Sequence, residues 1–594
     1  MLRAPKRSTQ LGLLALAGVL ALGWALRESY VVEERLTAAK AALTSGRAQV
    51  LNGDPAARQS LARAAVDTKV AREAVRNPVF SLVAHVPYLG RPFRTIAGIA
   101  EVSDELARRS LPRLVDASTG LTAVRKASSS DLPLGELSRL ATPLTALDRD
   151  LQRQVFGLEH LPSSPRIGPL ETARTTLLRQ LRGVAGPVHT AAVAARIAPA
   201  MLGAGPPKHY LLVFEQPAEA RPDGGLIGGW GELSATNGHL VVEQFGPNST
   251  LPRIAPGTPV QLDPDFRAAY GRRGAGESWV NTNLSPDFGQ DAQAWAAMYA
   301  AVRRPVDGVI ALDPEALGAI AGLTGGAVTV PGAGQVQPPD LPRFLLEGQY
   351  ALPIKKNQRK DLLGSVGQQV LDRLRTRPVA VRPLLTTLGH LAGGGHLKLW
   401  NNDPVAQTQL AGFPIARTVP DSADPYTGVF ASNSLGTKLD AYLQESVTRQ
   451  QACTRTASRV TVTVVLRNDL PAAALPSYVT VGDIPRPKGI PVGTSRIALT
   501  ILATRGAELT TAMVDGVGTY DLAKPQVALP PGAATVEPIS VKGHPGWRTV
   551  LDVPGHGART VVLHLDEPVL DPSGPARVQV QALARPAAVT NRSC

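Results

Sequence analysis

Residues Lys208 to Leu233 read KHYLLVFEQPAEARPDGGLIGGWGEL, and the fold turns on how this stretch is parsed. His209 to Gln216 is a nearly unbroken apolar run and reads as a buried strand. The glycine-rich segment after it, Glu219 to Trp230, has two readings. It is either a turn beside a twisted strand, or a strand end that presents Arg221 and Asp223. In the second case Arg221 would clamp a phosphate and Asp223 would hold a divalent metal such as Mg2+. No Gly-Lys-Ser/Thr follows, and no Gly-x-Gly-x-x-Gly helix start, so nucleotide loops are excluded. Next, Gly231–Ala235 and Leu240–Phe245 read as a hairpin whose Asn237-Gly238 pair suits a type I′ turn.

Downstream, 306–312 and 327–330 read as strands, with helices over 314–323 and 360–375. This mixture predicts an α/β or α+β layer fold. From about residue 458 the period becomes two, as in 459–466 (RVTVTVVL), and turns separate Val- and Thr-rich runs, which predicts an antiparallel β-sandwich. Upstream, 27–200 is rich in Ala, Leu and Arg with apolar positions three or four apart, so it is expected to be helical, broken at 52–55, 77–78, 128–130 and 161–165. It carries 24 Lys or Arg against 16 Asp or Glu, a balance that suits a solvated helical stalk or contact with an anionic surface. The expected organisation is a cytoplasmic tail (1–10), an anchor (11–26), a helical membrane-proximal region (27–205), an α/β core (206–455) and a β-sandwich (456–594). The fold class is multidomain α+β.

The anchor rests on the uncharged run Leu11–Leu26, preceded by Arg3, Lys6 and Arg7. Sixteen helical residues span about 24 Å, short of the roughly 30 Å hydrocarbon core, and Ser8–Gln10 and Trp24 extend the run into the interface. The basic flank keeps the N-terminus in the cytoplasm and sends the bulk of the chain across the cell membrane. A cleaved signal peptide competes, with 23–25 as a poor cleavage site.

The chain has 594 residues, 44% of them hydrophobic and 19% charged, which excludes wholesale disorder. Aromatics are only 4%, which argues against base-stacking surfaces, and no nucleic-acid partner is expected. The net charge of +14 is scattered, and 49 of the 62 basic residues are Arg. Two cysteines, Cys453 and Cys594, exclude thiolate metal clusters. In an oxidising compartment they would close one disulfide loop of about 140 residues, worth roughly 5 kcal/mol by chain entropy; otherwise they are free thiols. No His-Glu-x-x-His and no Gly-x-Ser-x-Gly is present, which removes zinc peptidases and serine hydrolases. The basic cluster Lys355, Lys356, Arg359 with Asp361 opens a helix, as a solvated face or a polyanion contact. Asn281 and Asn283, with Asp287, read as polar site residues or as turn and capping residues.

The segment 208–233, NTNLSPDF (281–288), VDGVIALDPEALGAIAGLTGGAVTV (306–330) and GVFASNSLGTKLDAYLQESV (428–447) together resemble domain-of-unknown-function family 4012. These are bacterial membrane-anchored envelope proteins, common in actinobacteria. The resemblance runs from about residue 75 to the C-terminus and implies an extracytoplasmic envelope protein. More distantly, the core is similar to the LytR-CpsA-Psr family, which transfers glycopolymers from polyprenyl-pyrophosphate lipids to peptidoglycan with a divalent metal. The Arg-Ser-Asp-Thr motif of that family falls on 221–224, and its Asp-Phe-Gly-Arg-x-x-Arg-Gln-Gln motif on 361–369. Two of its arginines fall on Gly364 and Gly367, so a pyrophosphate clamp would need Lys355, Lys356 or Arg359 instead. The resemblance implies binding or transfer of a lipid-linked glycopolymer, with Arg221 on phosphate and Asp223 on metal. The alternative is a non-catalytic scaffold whose β-sandwich contacts a partner.

Overall fold

The computed structural model describes residues 7–52, 57–117, 132–163, 167–377, 379–453, 458–482, 484–521, 534–568 and 576–592. Side chains at 7–18, 43–52, 57–58, 356–357, 360–361, 375 and 453 lie outside the description. The chain divides into two compact units, with the sequence boundary after Met201.

The first unit is helical: Arg7–Asn52, Ala57–Val75, Pro78–Ala84, Arg91–Glu105, Leu134–Glu159 and Gly168–Met201. Asn77 caps Pro78–Ala84 by accepting from the Val79 amide, which accounts for the break read at 77–78. Ala25 and Val32 are buried with Ala71, Val75 and Phe80, so the first helix runs from the apolar segment straight into the bundle. Among the described residues no helix is long and apolar enough to cross a membrane, and residues 11–18 of the expected anchor have no described side chains.

The second unit opens with a five-stranded sheet. Its strands are β1 (Lys208–Arg221), β2 (Gly224–Thr236), β3 (His239–Pro247), β4 (Gly308–Leu312) and β7 (Leu397–Asn401), in the order β3-β2-β1-β4-β7. Only β1 and β4 are parallel. A small hairpin, β5 (Val328–Val330) and β6 (Gly334–Val336), stands apart. The β1 side chains alternate between two cores. Leu212 and Phe214 pack with Leu362, Leu363, Val366 and Val370 of the helix Lys356–Thr376. Leu211 and Val213 pack with Phe288, Trp295 and Tyr299 of the helix Phe288–Val302. A sheet covered on both faces needs apolar residues at both parities, as HYLLVF supplies. The β2–β3 turn is Asn237-Gly238, with positive φ at both positions.

Two expectations about the chain's course are corrected. The glycine-rich run is strand, because β1 continues through a bulge to Arg221 and pairs with β2 from Gly224 onward, leaving only Pro222-Asp223 as the turn. The sandwich also begins earlier than residue 456. One sheet is β13 (Val517–Gly518), β12 (Glu508–Val514), β17 (Ala558–Glu567), β10 (Ser458–Asn468), β9 (Leu443–Cys453) and β19 (Ala588–Arg592), in that order. The other is β14 (Tyr520–Asp521), β15 (Thr535–Val541), β16 (His544–Val553), β11 (Ser495–Ala503), β8 (Tyr426–Asn433) and β18 (Arg577–Val580). Inner faces of both supply one core, including Val429, Val462, Leu499, Trp547 and Leu563. The sandwich is not wholly antiparallel: β18 pairs with β8, and β19 with β9, in parallel. Of the expected disulfide, Cys594 and the Cys453 side chain lie outside the described residues.

Candidate functional site

The end of the β1–β2 hairpin organises a buried polar cluster on the sheet face that carries Leu211 and Val213. Glu215 continues that parity on β1, and Lys398 is brought beside it by β7. The Lys398 ammonium contacts the Glu215 carboxylate and the Asp223 carbonyl. Asn283 donates to Asp223 Oδ1 at 3.2 Å and to the Gly225 carbonyl at 2.7 Å. Asp291, in the first turn of Phe288–Val302, accepts from the Ser285 amide at 3.1 Å. All five side chains are sealed from solvent.

One ammonium cannot balance three ionised carboxylates in a dry interior, so protons are retained. Burial pushes Glu215 well above the usual carboxylate range; Lys398 opposes this and Asp223 adds to it. Asp291 is pushed well up by burial and then by the charges of Asp223 and Asp287. Asp223 is raised by burial, against the pull of Lys398 and hydrogen bonds from Asn283 and Glu215. One oxygen on each of Glu215, Asp223, Asn283 and Asp291 has no protein partner.

Arg221, two residues from Asp223, points elsewhere. Its Nη1 donates to the Asn433 carbonyl on β8 at 2.9 Å, and its own carbonyl accepts from Gln581 at 3.0 Å. Asp440 completes this junction between core and sandwich. It accepts from the Ala220 amide, the Asn433 side chain and the Ser495 hydroxyl. Nearby Glu219 pairs with Lys438 at 2.6 Å. Burial lowers the Arg221 pKa, against the charges of Glu219, Asp440 and Asp223.

The other predicted residues do not join the cluster. Arg359 donates to the carbonyls of Gln349, Leu352 and Ile354 and lies over the rings of Tyr350 and Tyr478. Its helix covers the opposite face of the sheet. Lys355 is exposed as the N-cap of that helix, and the side chains of Lys356 and Asp361 lie outside the description. Asn281 closes a 3-10 turn, Trp279–Asn281. Asp287 caps Phe288–Val302 by accepting from the Gln290 amide. Gly364 and Gly367 face Phe245: a Cβ at Gly364 would lie 2.7 Å from its ring, and one at Gly367 3.1 Å. Phe245 in turn packs on Phe214, centroids 4.5 Å apart. The space over Gly364 and Gly367 is filled by aromatic carbon. A divalent metal fits poorly at Asp223, whose near neighbour is an ammonium. Among the described residues no three His, Cys, Asp or Glu side chains could hold one.

Sequence reading missed Glu215, Lys398 and Asp291. The available signal was a charged residue at an inward position of two apolar strands, HYLLVFEQ and LKLW. No curated protein and no solved structure matches the chain. Residues 206–350, which hold the β1–β2 hairpin, Asn283 and Asp291, match the family model described as Protein of unknown function (DUF4012).

Proposed function

We propose that the chain is a non-catalytic envelope protein, held at the cell membrane through residues 11–26 with its bulk outside, that binds or scaffolds rather than transfers a glycopolymer. The observation that carries this reading is the disposal of Arg221. Transfer from a lipid pyrophosphate needs cations free where negative charge develops. Here the Arg221 guanidinium is directed to the Asn433 carbonyl, and Arg359 is occupied by three carbonyls. Phe245 occupying the Gly364–Gly367 face supports the same reading.

The test incubates the full chain, in detergent, with a short-chain polyprenyl-pyrophosphate glycan and magnesium, followed by native mass spectrometry. The expected result is an intact pyrophosphate after prolonged incubation, in wild type and Arg221→Lys alike. Turnover that the Arg221→Lys variant loses would overturn the reading.

A further inference from the structure

β18 and the segment after it pass the α/β core beside the glycine run Gly393-Gly394-Gly395 and His396, and two cavities open along this seam. One, of about 530 Å³, lies between the start of the helix Pro314–Thr324, the helix Val381–Gly394 and Leu583–Pro586. The other, of about 490 Å³, runs along β18 and the Ala411–Arg417 loop. His396 lines both. The second cavity also has Arg417 and Arg577 in its wall and no Asp or Glu.

Three features indicate that this second cavity is built for a ligand. First, Arg417 holds a left-handed backbone, φ 47°, an uncommon conformation for a side chain with a Cβ and one that clusters at functional sites. Its guanidinium donates to the Val580 carbonyl; burial lowers its pKa and the charge of Arg577 adds to this, against Tyr426, Asp223 and Glu215, none of which lines the cavity. Two guanidinium groups in one acid-free wall call for an anion. Second, His396 is oriented. Its Nδ1 lies 2.7 Å from Asp313, whose other oxygen caps the helix Pro314–Thr324. That engagement leaves Nε2 as the ring's polar atom for the cavity. Burial works against its protonation, but Asp313 and Glu315 outweigh burial and raise the pKa. Third, the glycines admit these two side chains close against the backbone. A Cβ at Gly394 would sit 3.1 Å from His396 Nε2, and one at Gly395 2.9 Å from the Arg417 guanidinium carbon.

We infer that the cavity between β18 and the Ala411–Arg417 loop binds a phosphate-bearing ligand, held by Arg417, Arg577 and His396. Val578, Phe413 and Leu583 supply apolar wall for the group attached to the phosphate. The volume lies in the range of small-molecule sites at domain junctions. This deepens the binding-protein reading and rests on it, but places the ligand away from Arg221 and Asp223.

The test is calorimetric titration of the full chain with inorganic pyrophosphate, at ionic strength fixed by sodium chloride. One saturable site per chain is expected, weakened at least about tenfold in Arg577→Gln and in His396→Gln, a loss of about 1.4 kcal/mol or more. Arg577 is exposed, so its variant should fold, and Arg559→Gln, at an exposed ion pair on β17, is the unaffected control. Absence of saturable binding, or equal binding by Arg577→Gln, would overturn the inference. Glucose 1-phosphate and farnesyl phosphate are then titrated in parallel. Tighter farnesyl phosphate supports a lipid-borne phosphate and tighter glucose 1-phosphate a soluble one; failure of both would also overturn it. Phosphorus NMR of the same samples reads hydrolysis separately, which would count against the binding-protein reading and not against the site.

Discussion

Glu445 stands inside the sandwich with neither carboxylate oxygen hydrogen-bonded. Burial alone raises its pKa from 4.5 to about 8. The folded chain therefore keeps a proton that the unfolded chain releases above pH 4.5. Its contribution to stability is fully present below that pH and is lost as pH rises towards 8. A shift of this size corresponds to at most about 5 kcal/mol. Glu445→Gln should consequently melt less steeply with rising pH between 5 and 9 than wild type, and above pH 8 should be the more stable of the two. Thermal melts across that range decide it; parallel curves would show that Glu445 stays ionised in the fold. Phe245 carries a different lesson at this scale. The departure at Gly364 and Gly367 is visible in the sequence, but its reason is a ring delivered by β3, more than a hundred residues upstream.

At the scale of elements, β1, β7, the Pro222-Asp223 turn and the helix Phe288–Val302 meet around Lys398. Removing one partner of a buried ion pair typically costs about 3–5 kcal/mol, because the other charge is left uncompensated. The carboxyls here are already disposed to hold protons, so acid should relieve part of that loss. Lys398→Met is expected to lose several kcal/mol at pH 8 and distinctly less at pH 5, read by urea unfolding at both. An equal loss at the two values would mean that the carboxyls do not take up protons in response.

Most individual elements were legible in the sequence. The apolar run of β1, the Asn237-Gly238 turn and the Val- and Thr-rich strands β10, β11 and β17 all announce themselves by local pattern. The cluster was not legible, because Glu215 and Lys398 lie 183 residues apart and meet only through the strand order. The sandwich's first strands were missed for a related reason. The inward positions of β9 are Leu443, Glu445, Val447 and Arg449, half of them charged, and the strand does not read as amphipathic. Arg449 is instead neutralised within the fold by Glu567 at 3.0 Å. On β8, seven of eight residues are buried, which erases the alternation that marks a half-exposed strand.

Across the whole molecule, residues 202–594 fall in one compact unit, within which core and sandwich share buried polar groups. Asp440 is central among them: burial raises its pKa to about 6, while Ala220, Asn433 and Ser495 ease the charge. The C-terminal strand closes the same unit, with Arg592 of β19 in register opposite Gln450 of β9. Cys453 ends β9, and Cys594 lies two residues beyond β19 in the sequence. Protein recovered from an oxidising compartment should therefore yield a Cys453–Cys594 linked peptide by mass spectrometry without reductant. Two alkylatable thiols under those conditions would refute the link.

The parallel placement of β18 against β8 and β19 against β9 has a consequence for biogenesis. A ribosome makes β8 and β9 well before β18 and β19, so each waits for a partner that lies far downstream in the sequence. Until residues 576–592 emerge, the long, largely buried strands β8 and β9 are bare edges facing neighbouring chains, and such edges template association. Folding of this protein is thus a race in which residues 576–592 decide whether β8 and β9 are covered or left open to association.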